Sequence, residues 1–412
     1  MAKCHRLTPK EGAAMVPRTA SIFSQLLRFF PQTEFTSIVK KHGAERHAKG
    51  FTSWSQFVSM LFCQLAGAES LREICTGLAC CLGKLRHLGV NEAPNKSTLS
   101  YANKHRPAAM FEELFMNTLA RFRSLGELGP GKHKFRFKNK LYSMDATVIT
   151  LCLSMFPWAK YRTAKGGVKA HVLISHSDYM PSFVHISDAK KADVKAARLL
   201  DLRPGSVVAM DRAYNDFALF SRWTDAGVFF VTRLKSDTVY EVVEVREVPQ
   251  RRNILEDRII RLTGAAGKKC KHLLRVVTVW DKENDRYIDL LTNHLDFGAT
   301  TISAIYKDRW QIELFFKALK QNLKVKTFVG TSENALRIQI WTALIALLLI
   351  KWMKHQSRAG WCLSLMAAAL RWNLFVYRDL REWLDDPASW NVDPPEIEQL
   401  SLNIPGIGQQ IG

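Results

Sequence analysis

Between Leu141 and Thr232 the sequence passes through three β-type stretches and then a helix, a strand, a helix and a strand, an order that few architectures accommodate. Leu141–Leu151, Val168–Ser177 and Phe183–Ile186 are rich in β-branched and aromatic residues and follow one another as a meander. Residues 193–200 then read as a short helix, Ser206–Met210 as a buried strand ending at Asp211, 215–226 as a helix and Val228–Thr232 as a strand. Three sequential strands followed by two helix–strand units predict a mixed sheet with helices packed on it.

The flanking segments have other periodicities. Ile22, Leu26, Leu27 and Phe30 recur at helical spacing, as do Phe57, Met60, Leu61 and Leu65, so residues 20–125 are expected to be helical. Within them a short helix, Leu71–Leu78, precedes a second, with Ser97 as its N-cap and Pro107 as its stop. The second carries Lys96, Ser100, Asn103, Lys104 and Arg106, a pattern equally consistent with a helix-turn-helix reading a major groove and with a plain helical hairpin. A Gly- and Lys-rich linker covers 125–140. Tyr240–Val248, Arg258–Leu262, Leu273–Trp280 and Arg286–Thr292 read as strands of an antiparallel insertion, and from Thr301 to about Asp385 the chain is helical again. The apolar run Ile340–Ile350 is too short to span a bilayer and reads as a buried helix. The expected fold class is therefore α/β: a ribonuclease-H-like catalytic core with an antiparallel β insertion, preceded by an all-α N-terminal domain and followed by C-terminal helices. The corresponding domains are 1–130, 131–237, 238–300 (the insertion), 301–358 and 359–412, and the Pro-rich segment after Asp386 reads as a flexible tail.

Charge narrows the class of partner. Lys and Arg number 59 against 38 Asp and Glu, a formal charge of +21. A surplus of that size usually faces a polyanion, because neutralising phosphates releases condensed counterions, although a solvated basic surface would give the same count. None of the eight cysteines forms a C-x-x-C pair or a zinc-spaced cluster with histidine, and the N-terminal residues lack the apolar run of a signal peptide. Both point to a reducing cytoplasm and to no membrane partner.

Cutting and rejoining a phosphodiester needs an activated oxygen nucleophile and neutralisation of the phosphate, which two divalent ions held by converging carboxylates can supply. Asp145 within the first strand and Asp211 at the end of an apolar strand would share one ion if their strands were neighbours, and Glu313 on a helix beside them would bind the second. Each acid alone would more often be a cap or a surface residue. The surroundings of Glu313 are more specific: Tyr306, Arg309, Glu313, Lys317 and Lys320 fall on one broad helical face, with Ile305, Ile312, Phe316 and Leu319 opposite. That polar stripe suits a phosphate backbone held against a metal; i,i+4 salt bridging on a solvated face is the simpler alternative.

Tyr306, Arg309, Glu313 and Lys320 match, without a gap, the Tyr-x2-Arg-x3-Glu-x6-Lys signature of the DDE transposases of bacterial insertion sequences. Tyr142-Ser-Met-Asp145-Ala-Thr147 resembles that family's first block and Met210-Asp211-Arg212-Ala213-Tyr214 its second, in the family's order. The resemblance covers residues 140–350 firmly and the helical N-terminal segment more loosely. It implies a transposase that binds the terminal inverted repeats of its element, frees a 3′-OH by hydrolysis at each end and joins it to target DNA or, through a hairpin, to the opposite strand. Asp145, Asp211 and Glu313 would be the catalytic and metal-binding residues for two Mg2+ ions, with Mn2+ as a substitute. Tyr306, Arg309 and Lys320 would grip phosphates, with Lys317 beside them. Trp310 would stack on an unpaired base or serve the core. Lys160, Arg162, Lys165 and Lys169 form a basic loop that could track DNA, and Lys104 would contribute from the N-terminal helix. A homodimer in the synaptic complex and a nucleoid-associated place in a bacterial cytoplasm follow from the same resemblance. A structure-specific nuclease of the same fold and a non-catalytic DNA-binding derivative are the alternatives. The signature spacing argues against the first, and the presence of all three acids against the second. Asp308, an extra acid inside the signature, would have to point away from DNA.

Overall fold

The computed structural model describes residues 20–46, 48, 50–81, 83–128, 135–151, 166–188, 193–249, 253–323 and 328–387. Six helices come first: α1 (Ile22–Leu27), α2 (Gln32–Lys41), α3 (Ser53–Ala66), α4 (Leu71–Ala79), α5 (Lys96–His105) and α6 (Ala109–Ser124). Their ends follow local chemistry. The Thr52 side chain accepts from the Ser55 N–H at the start of α3, and Gly67, at φ 76°, supplies the left-handed residue that ends it. Helix α5 starts one residue before the expected cap, after Asn95, and ends just before Pro107. Residues 80–95, with a 3-10 turn at Leu85–Leu88, separate α4 from α5. That is far longer than the three or four residues joining the two helices of a helix-turn-helix, so the tight motif is absent here.

The middle of the chain forms β1 (Leu141–Leu151), β2 (Gly166–Ser175), β3 (Pro181–Asp188), α7 (Asp193–Ala197), β4 (Val207–Met210), α8 (Phe217–Asp225) and β5 (Phe229–Arg233). Then come β6 (Tyr240–Val245), β7 (Ile254–Leu262), a short α9 (Gly264–Lys269), β8 (Leu273–Asp281) and β9 (Arg286–Thr292). All nine strands join one sheet in the order β3-β2-β1-β4-β5-β9-β8-β7-β6. Strands β1, β4 and β5 run parallel, whereas β2 and β3 flank β1 as an antiparallel meander. The expected β insertion is not a separate sheet. Strand β9 pairs antiparallel with β5, and β8, β7 and β6 extend the same ladder outward.

The helical remainder is α10 (Ala299–Asp308), α11 (Gln311–Asn322), α12 (Glu333–Gln356), α13 (Leu363–Asn373) and α14 (Leu380–Asp385). Helix α10 packs through Ile302 and Ile305 on Val207, Ala209 and Val231, while α7 and α8 cover the opposite face around Met144, Met210 and Phe230. A third core gathers the N-terminal helices, one end of the meander and α11–α14. The boundary expected near residue 130 thus divides two stretches of chain but not two cores. Helix α12, long and apolar enough to cross a membrane, has 89% of its apolar window buried, as expected of a core helix. Asn334 at its start ties it to α5, donating to the Asn103 and Arg106 carbonyls and accepting from the Ala108 N–H.

Candidate active site

Two of the expected acids are brought together by strand register. Met144 and Met210 are the last partners along the parallel pair β1–β4, so Asp145 and Asp211 follow side by side. Both methionines point into the core beneath α7 and α8. Side chains alternate along a strand, so both carboxylates lie on the other face, the one that carries α10. Continuing the β4–β5 register from Ala209↔Val231 sets Arg233 beside Asp211. Its Nη2 stands 3.4 Å from one carboxylate oxygen of Asp211 and 3.5 Å from the other.

The third acid arrives on a broken helix. The sequence reads as one helical stripe from Tyr306 to Lys320, but α10 stops at Asp308 and α11 begins at Gln311. Across the junction Arg309, Trp310, Ile312 and Glu313 donate to carbonyls three residues back, a 3-10-like tightening. No proline or glycine marks the place. Tyr306 therefore belongs to α10, Arg309 to the corner and Glu313, Lys317 and Lys320 to α11. From the corner the Arg309 guanidinium reaches both ways, with Nη1 3.0 Å from Asp145 Oδ2 and Nη2 2.9 Å from Glu313 Oε1. The Tyr306 ring lies 5.7 Å from the Arg309 guanidinium and 5.9 Å from that of Arg233.

Charge in this corner is tightly balanced. Burial pushes the Asp145 carboxyl above its ordinary range; the Ala146 N–H and Arg309 pull it back, while Asp211 and Glu313 push the same way as burial. Burial opposes the charge on Arg309 too, but Asp145, Tyr306, Glu313 and Asp211 outweigh it and hold the guanidinium more firmly protonated. Burial also raises the Tyr306 phenol.

Beneath these residues runs a buried polar chain. Asp308 Oδ2 accepts from His176 Nδ1 at 2.8 Å, and His176 Nε2 lies 2.7 Å from the Ser143 hydroxyl. Asp308 is thus turned inward, and it links the end of α10 to the strand two residues before Asp145. On the other face, buried His171 lies 3.2 Å from both the Tyr214 hydroxyl and the Ser187 hydroxyl.

A family model for the transposase DDE domain matches residues 136–349, just over half of the chain, from β1 to most of α12, and so takes in every residue of this corner. The chain belongs to the DDE transposase family. A second model, a domain of unknown function (DUF4372), matches residues 18–91. A Sinorhizobium fredii protein named as a transposase, y4zB, is 33% identical over 63% of this chain and 71% of its own length. A Geobacillus stearothermophilus protein named as the transposase for insertion sequence element IS5377 is 29% identical over 55% of this chain and 60% of its own length. Among solved structures, a piggyBac transposase synaptic complex with hairpin DNA aligns over 91% of this chain and 84% of that one, at 10% identity and a TM-score of 0.41.

Membership makes the chain a transposase, an enzyme that cleaves DNA and transfers strands with a divalent metal. Three carboxylates are the oxygen donors a hard divalent ion prefers, and burial of Asp145 beside two further acids leaves a demand for positive charge there. Among the described residues no three ligand side chains stand close enough to hold an ion as they are. Arg309 bridges two of the acids instead.

The remaining expected residues of the transposase are spread more widely. Lys317 is exposed on α11, and Lys320 donates to the Val148 carbonyl at 3.3 Å, tying α11 to β1. Trp310 is 57% exposed, so the core role is ruled out. Lys104 is exposed on α5, and Lys169 pairs with Asp193 at 2.7 Å. Lys160, Arg162, Lys165, the tail after residue 387 and Cys4 and Cys152 lie outside the described residues; the six described cysteines are free thiols. A pocket of about 850 Å3 opens between the β8–β9 turn and the α10–α11 corner, walled by Trp280 and Trp310 and by Arg233, Arg286 and Lys307. Arg233 and His176 had no sequence signal: neither belongs to a motif, and only the strand register brings Arg233 to Asp211.

Proposed function

We propose that Asp145, Asp211 and Glu313 form the catalytic centre of this transposase and hold two Mg2+ ions, with Mn2+ as a substitute. The observation carrying this reading is the register partnership Met144↔Met210, which delivers two carboxylates from adjacent parallel strands, with Glu313 joined to one of them through Arg309. The strand order β3-β2-β1-β4-β5 with helices on both faces supports a ribonuclease-H-like core in which such acids meet. When bound, the ions activate the attacking oxygen and neutralise charge on the phosphate.

The protein's own groups account for the rest of the site. With the carboxylates committed to cations, the Arg309 fork has its donors available for a phosphate, which it can grip in bidentate fashion. Tyr306 keeps two guanidiniums apart and oriented. Lys317 extends the grip along α11, Lys320 fixes β1 and can turn to a phosphate, and exposed Trp310 offers a stacking surface for an unpaired base. In this reading the N-terminal helices, with Lys104 on α5, bind the terminal inverted repeats of the element. The C-terminal helices serve a homodimer that holds two ends, and the protein works on the bacterial nucleoid.

The test is cleavage of end DNA by purified Asp145→Asn, Asp211→Asn and Glu313→Gln variants in Mg2+. Each is expected to bind the end and leave both strands intact. Normal cleavage by any one of them would remove that residue from the centre.

A further inference from the structure

Beyond Asp211, away from α11, the protein carries a second concentration of positive charge. A cleft of about 290 Å3 is lined by Arg212, Arg233, Lys235 and Arg286 with the ring of Tyr287, and among the described residues Asp289 is the one acid in its lining. Asp289 is already engaged, with the Thr278 hydroxyl at 2.6 Å and Arg258 at 3.9 Å. The cations are loosely committed. Arg286 stands 3.5 Å from Asp281, Arg233 stands 3.4 Å from Asp211, and Arg212 and Lys235 have no ion-pair partner among the described residues. Four cations around one engaged acid in a small polar cleft make a site for an anion, and hydroxyls of Ser236, Thr238 and Tyr240 add donors.

Its position identifies the anion. The sheet order β1-β4-β5 carries Asp145, Asp211 and Arg233 side by side, and because β9 runs antiparallel with Leu290 opposite Arg233, Arg286 lies four residues farther along β9, past the C-terminal edge of the parallel strands. Lys320 lies on the β1 side of the acids and the cleft on the β9 side. Two strand spacings across the sheet, about 10 Å, and four residues along β9, about 13 Å, set the Arg286 backbone roughly 16 Å from that of Asp211. That is about five base pairs along a duplex. A strand whose scissile phosphate lay at the acids, gripped on one side by α11, would run on into this cleft. We infer that the cleft of Arg212, Arg233, Lys235 and Arg286 binds the phosphodiester backbone of DNA lying outside the transposon end. The inference rests on the proposed catalytic centre. The bound backbone is either the donor flank before cleavage or the target after it.

Lys235→Ala/Arg286→Ala removes two cations that do not touch the acids, and Lys268→Ala/Lys269→Ala on α9 removes the same charge from an exposed surface outside the cleft lining. Binding is measured without divalent metal as a function of salt, on an uncleaved end with flanking duplex and on a pre-cleaved end. Joining of the pre-cleaved end to target is measured in Mg2+. Loss of two phosphate contacts should lower the salt slope by about two. A fall of that size on the flanked end, with the pre-cleaved end unchanged, identifies the flank. An unchanged flanked end with about tenfold slower joining identifies the target. Wild-type slopes and joining, or an equal loss on the pre-cleaved end or in the α9 variant, would overturn the inference. Should the alanine pair melt below the wild type, Lys235→Gln/Arg286→Gln gives the same reading with the side-chain volume kept. Failure of the wild-type protein to cleave flanked ends would count against the catalytic centre instead; cleavage with unmoved slopes counts against the cleft alone.

Discussion

Arg309 donates to Asp145 at 3.0 Å from the corner between α10 and α11, so the cation nearest the strand acid comes from the same turn that carries Glu313. In the proposed centre this arginine would change from counter-charge of the acids to phosphate ligand.

Arg309→Ala is therefore expected to bind end DNA within a few-fold of wild type while single-turnover cleavage at saturating protein falls about a hundredfold, the usual cost of a small misplacement at the reacting centre. Arg309→Lys should recover little, because a point charge cannot span two acids as the fork does. Much weaker binding with a normal saturated rate would make Arg309 an ordinary duplex anchor.

The pair Asp308–His176 is nearly inaccessible, at 3% and 8% side-chain exposure. Removing Asp308 leaves a buried imidazole nitrogen without its acceptor, at about 1–3 kcal/mol. Asp308→Ala should lower stability by that order and Ser143→Ala by about 1 kcal/mol, the worth of one neutral hydrogen bond. Urea unfolding monitored by tryptophan fluorescence measures both; an Asp308→Ala loss below that of Ser143→Ala would show that the chain bears no weight.

Burial lowers His171 to about 4. The folded protein thus resists protonating a group that the unfolded chain protonates near 6.5. Its contribution to stability is complete above about pH 6.5 and is lost as the pH falls toward about 4, by up to about 3 kcal/mol. His171→Gln should flatten the acid side of a melting-temperature profile over that window. A wild-type profile already flat between pH 6.5 and 4 would contradict the assignment.

On α5, Lys96, Ser100, Tyr101 and Lys104 are exposed, and Asn334 fixes the end of the helix to α12. Lys96→Ala/Lys104→Ala should weaken end binding and reduce the salt slope by about two without altering the saturated cleavage rate. An unchanged slope would move end recognition to another surface.

The candidate acids stood out in the sequence because each sits where a local pattern changes: Asp211 closes an apolar run, Asp145 opens the β-branched part of its strand, and Glu313 lies at fixed spacing from Tyr306, Arg309 and Lys320. The corner at Arg309–Trp310 was not legible, since nothing in Tyr-Lys-Asp-Arg-Trp-Gln disfavours a continuous helix and only packing on the sheet bends it. The alternation of Tyr240–Val245 marked a strand but gave no sign of its partner, so the insertion's continuity with β5 stayed hidden. Helix α9, Gly-Ala-Ala-Gly-Lys-Lys, has too much glycine for propensity to call for it. Apolar periodicity revealed a buried face on each N-terminal helix without naming α12 as what covers it.

That shared core sets a timetable. Helices α1–α6 need α12, and α12 leaves the ribosome about two hundred residues after α6 does. At bacterial elongation rates of about 5–20 residues per second, the N-terminal helices wait roughly 10–40 s with their apolar faces open. The α5 surface proposed to read DNA is therefore assembled only when the sheet behind it has already been made, and a chain cut short before residue 333 would lack both the helix that completes the core and the Asn334 that fixes α5.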